Sequence, residues 1–250
     1  MRVAFYQDGL DATTALATGL LALTQFYGDF ECPEGSAKSL GRMLGALEYY
    51  AEQYPLATDA ATPSHLPGGK RGIEFSFAEP LPILHPETGN PLIYCGRMDG
   101  VMDYAGGRYG LDDKTTSQLG ASWSKQWDMR GQFTGYCWGA EQAGLPLSGF
   151  LIRGVSIMKT KYDTQQALTY RPDWMIDRWF YQLIRDLERM IECWESGVWD
   201  YDLSEACNEF GGCQFKRVCL SKEPQGWLET GFVRRRWDPV AREEVLLGDL

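Results

Sequence analysis

Two aspartates and a lysine stand at spacings that chemistry can use. Asp99 closes Gly-Arg-Met-Asp99, and Asp112 and Lys114 lie in Leu-Asp112-Asp113-Lys114-Thr-Thr. Side chains alternate faces along a strand, so Asp112 and Lys114 leave on the same side. Between the segments comes Ala105-Gly106-Gly107, a hairpin signal because glycine accepts the positive φ of tight loops. With Gly106-Gly107 as a two-residue loop, Asp99 falls opposite Lys114 and diagonal to Asp112. A four-residue loop sets Asp99 directly opposite Asp112. Either register gathers two carboxylates and one ammonium on one face, whereas a three-residue loop separates them unless a bulge intervenes. Paired carboxylates are a seat for a hard divalent cation such as Mg²⁺. An adjacent lysine steadies a phosphate oxygen or an attacking water, the combination that metal-assisted phosphodiester hydrolysis requires. Asp-x-Lys taken alone is as readily a solvated ion pair on a surface hairpin.

The context adds a third segment. Gln132-Phe-Thr-Gly-Tyr136 lies in a helical run, and the i,i+4 spacing puts the amide and the phenol on one helix face. Gly-Arg-Met-Asp99, then Asp112-Asp113-Lys114-Thr-Thr, then Gln132-x3-Tyr136 resembles, in order and spacing, the RecB-like branch of the PD-(D/E)XK nuclease superfamily. The resemblance runs from about Glu74 to Cys219. It implies a restriction-endonuclease-like α/β fold, with a mixed central sheet flanked by helices. It implies that Asp99 and Asp112 hold Mg²⁺ or Mn²⁺ with the Asp113 carbonyl as a third ligand, that Lys114 is the catalytic lysine, and that Gln132 and Tyr136 lie along the DNA path. The implied substrate is DNA, as single strands or duplex ends, and the implied activity exonucleolytic. A partner protein of the recombination or CRISPR type belongs to the same implication. In that family an early helix also supplies an acid and often a histidine. Glu48 is the candidate acid, against the plainer reading of a solvated helix glutamate. No histidine qualifies, since His65 and His85 both sit in proline-rich loop sequence.

The elements that must position these groups are legible in part. At 250 residues and 44% hydrophobic content, the chain suits one domain with a full core. That domain is expected over residues 1–225, with 226–250 as a C-terminal extension. No apolar run approaches membrane-spanning length and Met1-Arg-Val-Ala-Phe lacks a signal-peptide core, so a cytoplasmic protein without membrane partners is expected. The net charge of −10 is the wrong sign for a protein that binds nucleic acid through overall charge. Any such binding must use local basic groups. Residues 12–27 and about 36–54 read as helices, the second with a stripe of Leu40, Met43, Leu44, Leu47, Tyr50 and Tyr54. Ile73-Glu-Phe-Ser-Phe77 alternates as a strand, and Pro80–Pro91 reads as a turn-rich connection. Gly149–Met158 is an apolar run typical of a strand covered on both faces, and residues 173–199 form an amphipathic helix ended by Gly197. Lys159 and Lys161 follow the apolar run and reach either phosphate or simply solvent.

Seven cysteines without a regular extracellular framework favour reduced thiols or metal ligands over disulfides. Cys207, Cys213 and Cys219 recur every six residues. Members of the resembled branch close their C-terminal region with a similar pattern around a 4Fe–4S cluster. The resemblance therefore implies such a cluster, with Cys32 as the first candidate for the fourth ligand and Cys193 as the second. Structural zinc is the alternative. The tail carries Arg234-Arg-Arg-Trp237, the densest basic spot in the chain.

Overall fold

The computed structural model describes residues 1–201, 207–208 and 212–234. They fall into two units. The first comprises Met1–Leu81 and Ile93–Leu183, and the second Pro82–Leu92 with the described residues from Ile184 onward. In chain order the elements are α1 (Arg2–Tyr6), α2 (Ala12–Tyr27), α3 (Leu40–Gln53), β1 (Thr62–Pro63), β2 (Ile73–Leu84), β3 (Pro91–Tyr104) and β4 (Gly107–Thr116). There follow α4 (Ala121–Lys125), α5 (Gly131–Gln142), β5 (Gly149–Ile157), β6 (Tyr162–Tyr170), α6 (Asp173–Ser196), α7 (Lys216–Cys219) and α8 (Gln225–Gly231). No helix among the described residues is long and apolar enough to cross a membrane.

The fold is α/β, built on a six-stranded mixed sheet in the order β1-β3-β4-β5-β6, with β2 also paired to β3. β4 and β5 run parallel, and β3–β4 and β5–β6 are antiparallel. β5 is buried along its whole length because helices cover both faces, as its unbroken apolar run predicts. Its odd-numbered residues meet the α1–α3 side, where Val155 and Ile157 pack with Ala46 and Tyr50 of α3. Its even-numbered residues meet α4 and α5. There the rings of Phe150 and Phe133 stack at 4.7 Å, with both side chains fully buried. The parallel β4–β5 register carries this parity across, so Asp113 and Thr115 face α3 while Gly110, Asp112 and Lys114 face α5.

Gly110 is needed where it stands. A methyl group there would overlap the fully buried Phe150 ring, so something must shift to admit it. Gly110→Ala is expected to cost about 1–3 kcal/mol, as overpacking of a filled core does, read as a lower urea midpoint at unchanged m-value.

Several expectations shift. β2 continues through Pro80 and Pro82 to Leu84 where a turn-rich connection is expected. Proline lacks a ladder donor and is tolerated in a strand wherever that N–H has no partner to meet. The α3 helix begins at Leu40, not near Ser36. The hairpin turn is Ala105-Gly106, with φ of +48° and +80°, in place of Gly106-Gly107. Positive φ at both central residues is the twist a two-residue hairpin prefers, and Ala105 accepts about 1 kcal/mol of strain to supply it. Arg235, Arg236 and Trp237 of the basic tail lie outside the described residues.

Candidate metal site at the β3–β4 fork

The hairpin pairs from Tyr104↔Gly107 to Gly100↔Leu111, and there the ladder stops. One further step would set Asp99 opposite Asp112. The strands separate instead, and the Asp99 carboxylate accepts a hydrogen bond from the Asp113 N–H at 2.8 Å. It takes the place of the ladder carbonyl that β3 no longer presents. This corrects the expected single-face cluster. Asp112 and Lys114 stay together, facing α5, whereas Asp99 sits in the fork and lines a cavity with Asp113 on the α3 side.

Asp112 is buried, and its Oδ2 lies 2.6 Å from Lys114 Nζ with no other polar partner. Burial raises the Asp112 pKa, and the lysine opposes that rise. Lys114 remains about one-third exposed, its ammonium 6.0 Å from the Phe133 ring centroid. Asp99 is driven further: burial, with the nearby charges of Asp113 and Asp112, pushes its pKa up to about 6 despite the Asp113 N–H. Its carboxylate is thus held in the fold without sufficient compensating charge.

A prediction follows for metal-free protein. Because the folded pKa lies above the unfolded one, ionised Asp99 opposes folding. The penalty is absent below about pH 4, grows as the pH rises toward 6, and is fully present above it. Asp99→Asn keeps an acceptor for the Asp113 N–H. In EDTA it should exceed wild type in stability by about 3 kcal/mol at neutral pH, with the gap closing by about pH 4. Urea titrations across this range provide the check, and a gap independent of pH would refute the assignment.

On the α3 face, Asp113 is fully engaged. Its carboxylate meets Arg2 Nη1 at 2.5 Å and accepts from the Tyr50 hydroxyl at 2.8 Å. Tyr50 in turn accepts from Arg2 and, at 3.4 Å, from Arg153. Arg153 grips Asp59 through both nitrogens, at 2.5 and 2.7 Å. The chain Asp113, Arg2, Tyr50, Arg153, Asp59 is a partly buried polar network tying α1 and α3 to the sheet. Sequence reading did not find it, although an arginine inside the apolar run Gly149–Met158 was a signal, since such a charge must be paired.

Asp99 and Asp113 line a cavity of about 350 Å³ whose other walls are mostly apolar, including Met43, Leu47, Val155 and Ile157. Glu74 also reaches it and pairs with Arg97 at 2.7 Å. Glu74 has φ of +55°, which breaks the strand alternation and lets neighbouring Ile73 and Glu74 line the same cavity. Glu48 does not line it; this side chain is exposed on α3. α3 presents Tyr50 to the cavity but no acid.

On the other face, Gln132 Nε2 donates to the Tyr136 hydroxyl at 3.2 Å, as the i,i+4 spacing allows. The Tyr136 ring packs edge-on against Phe77, and Phe133 of the same helix turn lies near Lys114. The helix therefore brings Gln132 and Tyr136 to the side of the sheet that carries Asp112 and Lys114.

The cysteines divide. Cys32 belongs to the first unit, whereas Cys193, Cys207, Cys213 and Cys219 belong to the second. The Cys213 N–H donates to the Cys207 carbonyl at 3.1 Å, and Cys219 ends α7. Among the described residues no group of three or more His, Cys, Asp or Glu is placed to hold a metal ion. Residues 202–206 and 209–211, on either side of Cys207, are not among them.

No protein-family model matches the chain, and no curated protein matches it. A solved structure titled "Crystal structure of SSO0001" aligns at 14% identity over 74% of this chain and 69% of its own, with a TM-score of 0.31. At that distance it carries no argument about fold or function. What stands is an α/β fold with a forked hairpin in which Asp112 pairs with Lys114, Asp113 pairs with Arg2, and Asp99 has a raised pKa.

Proposed function

We propose that this protein is a Mg²⁺- or Mn²⁺-dependent DNA nuclease, an exonuclease of the RecB-like PD-(D/E)XK type. The observation that carries the reading is the fork. Asp99 sits there with its pKa raised to about 6, one ladder step from a buried Asp112 whose Oδ2 has only Lys114 for company. Two such carboxylates fit a hard cation, which needs one or two carboxylates and keeps its remaining waters. In a strand the N–H and C=O of one residue leave by the same edge. The Asp113 N–H points at Asp99, so the Asp113 carbonyl points into the same fork. Asp99 and that carbonyl would hold the ion from within the fork, and Asp112, on the α5 face beside Lys114, would have to turn toward it to complete the set. The Asp113 carboxylate would not, being tied to Arg2 and Tyr50. Bound there, a cation would supply a Lewis acid and lower the pKa of a water on it. Lys114 would position the attacking water and offset charge on the phosphate oxygen as the P–O bond breaks. Gln132 and Tyr136 guide the strand from the α5 side.

A second reading is a nuclease-fold subunit with weak or no catalysis, acting in nucleic-acid binding or complex assembly. It is favoured by α3 giving the cavity no acid and by Arg2 placing a positive charge beside the fork. End-labelled single- and double-stranded DNA incubated with Mn²⁺ separates the two. Cleavage by wild type that disappears in Asp112→Ala and Lys114→Ala supports the enzyme, and inert wild type supports the subunit.

The cysteines are proposed to hold a 4Fe–4S cluster, with zinc as the alternative. Cys207, Cys213 and Cys219 would supply three thiolates, and Cys193, in the same unit, would supply the fourth. Anaerobically purified protein is expected to absorb near ~400 nm and to contain iron and sulfide. Loss of iron in Cys193→Ala is the expected sign of that fourth ligand. Zinc alone would reject the cluster.

A further inference from the structure

We infer that Lys38, Lys159 and Lys161 form a track for the phosphate backbone of a DNA strand at the rim of the cavity holding Asp99. The inference rests on the nuclease reading for its choice of polyanion. Residues distant in sequence build the track. β5 lines the cavity with Val155 and Ile157, and the chain then turns through Met158–Lys161 into β6. Both turn lysines are thus within four residues of the cavity wall, and both are exposed.

The turn is held in place. Arg42 of α3 donates to the carbonyls of Met158 and Lys161 and lies 3.7 Å from the Tyr162 ring centroid, while the Met158 N–H donates to Lys161 O at 3.1 Å. From the other side comes the segment before α3. Gly35 stands where its Cβ would be 4.0 Å from Lys159 Nζ. Three residues on, the exposed Lys38 brings its ammonium to 3.5 Å from Thr115 Oγ1, on the cavity wall one residue beyond Lys114.

The charges on this rim are uncompensated. Asp29, Glu31, Glu34 and Asp163 are close in sequence, yet no ion pair among the described residues joins any of them to these lysines. In a chain of net charge −10, three exposed lysines on neighbouring segments, none joined to a carboxylate by an ion pair among the described residues, mark where a polyanion can approach. The lysines have no base-reading geometry, so contact to the backbone, independent of sequence, is what they offer.

The test is binding without cleavage. Fluorescence anisotropy of a labelled single-stranded oligonucleotide is measured in EDTA from about 25 to about 200 mM KCl, the range over which counterion release is read. The triple variant Lys38→Ala, Lys159→Ala, Lys161→Ala is expected to lower the steepness of log K against log salt by about 2, some 0.7 for each lost phosphate contact. Affinity at about 0.1 M salt should fall on the order of 100-fold. Lys70→Ala, an exposed lysine of another loop, should leave the slope unchanged. An unchanged slope in the triple variant, an equal loss per lysine in Lys70→Ala, or no binding by wild type at the lowest salt overturns the track. Active wild type with an unchanged slope removes the track and keeps the nuclease. Inert wild type with a reduced slope does the reverse.

Discussion

If the proposed nuclease reading holds, replacing Lys114 with alanine is expected to lower the rate of Mn²⁺-supported DNA cleavage about 10³-fold, the scale at which removing one pre-positioned charge from a reacting centre is felt. Lys114 is fixed in its place by Asp112 at 2.6 Å and by the Phe133 ring beneath it, so it need not be reorganised when charge develops on the phosphate. The loss should fall on kcat and leave KM nearly unmoved, because an ammonium already neutralised by Asp112 adds little to ground-state attraction for DNA. Lys114→Arg should not rescue. Its planar fork cannot occupy the point position of the ammonium between Asp112 and the ring. Single-turnover cleavage of an end-labelled strand, with circular dichroism to establish folding, gives the measurement. Activity within tenfold of wild type would remove Lys114 from the reaction.

The second large effect concerns stability. Arg153→Met is expected to cost about 3–5 kcal/mol, the price of leaving a buried carboxylate without its partner. Arg153 is 2% exposed, and its guanidinium spans Asp59, Gln166 and the Tyr50 hydroxyl with the Tyr54 ring 4.0 Å away. Methionine fills much of the volume but supplies no donor, so Asp59 must take a proton or draw in water. Adding Asp59→Asn should return a substantial part of the loss, since the double variant leaves no unpaired charge. Urea denaturation of the wild type, the two single variants and the double variant closes the cycle. A loss under about 1 kcal/mol would place the pair among exposed ion pairs of little worth. Arg153 also bonds Tyr50, which holds Asp113, so the same variant should loosen the α3 side of the fork. Reduced cleavage at temperatures where the variant is still folded would report that.

Local rules settled part of this protein. Alternation put Asp112 and Lys114 on one face, and the parallel register with β5 holds them there. The i,i+4 rule put Gln132 against Tyr136, and an unbroken apolar run marked β5 as the covered strand. Each of these depends only on residues within a few positions of one another. β6 was not found, because Tyr162-Asp-Thr-Gln-Gln-Ala-Leu-Thr-Tyr170 has too few apolar residues to show its period and becomes a strand through pairing with β5. Pro80 and Pro82 hid the second half of β2, since a missing donor does no harm where the ladder makes no use of it.

Residue types and spacing thus determined by themselves an Asp-x-Lys strand and a helix bearing Gln132 and Tyr136, whereas the α/β fold was what the family resemblance implied. Only the tertiary structure decided where Asp99 goes, because that depends on the step at which two strands part. It also decided which charges meet: Arg2 reaches Asp113 across 111 residues, and Lys38 approaches Thr115 across 77. Electrostatic partners act through distance in space, and only a folded backbone fixes that distance.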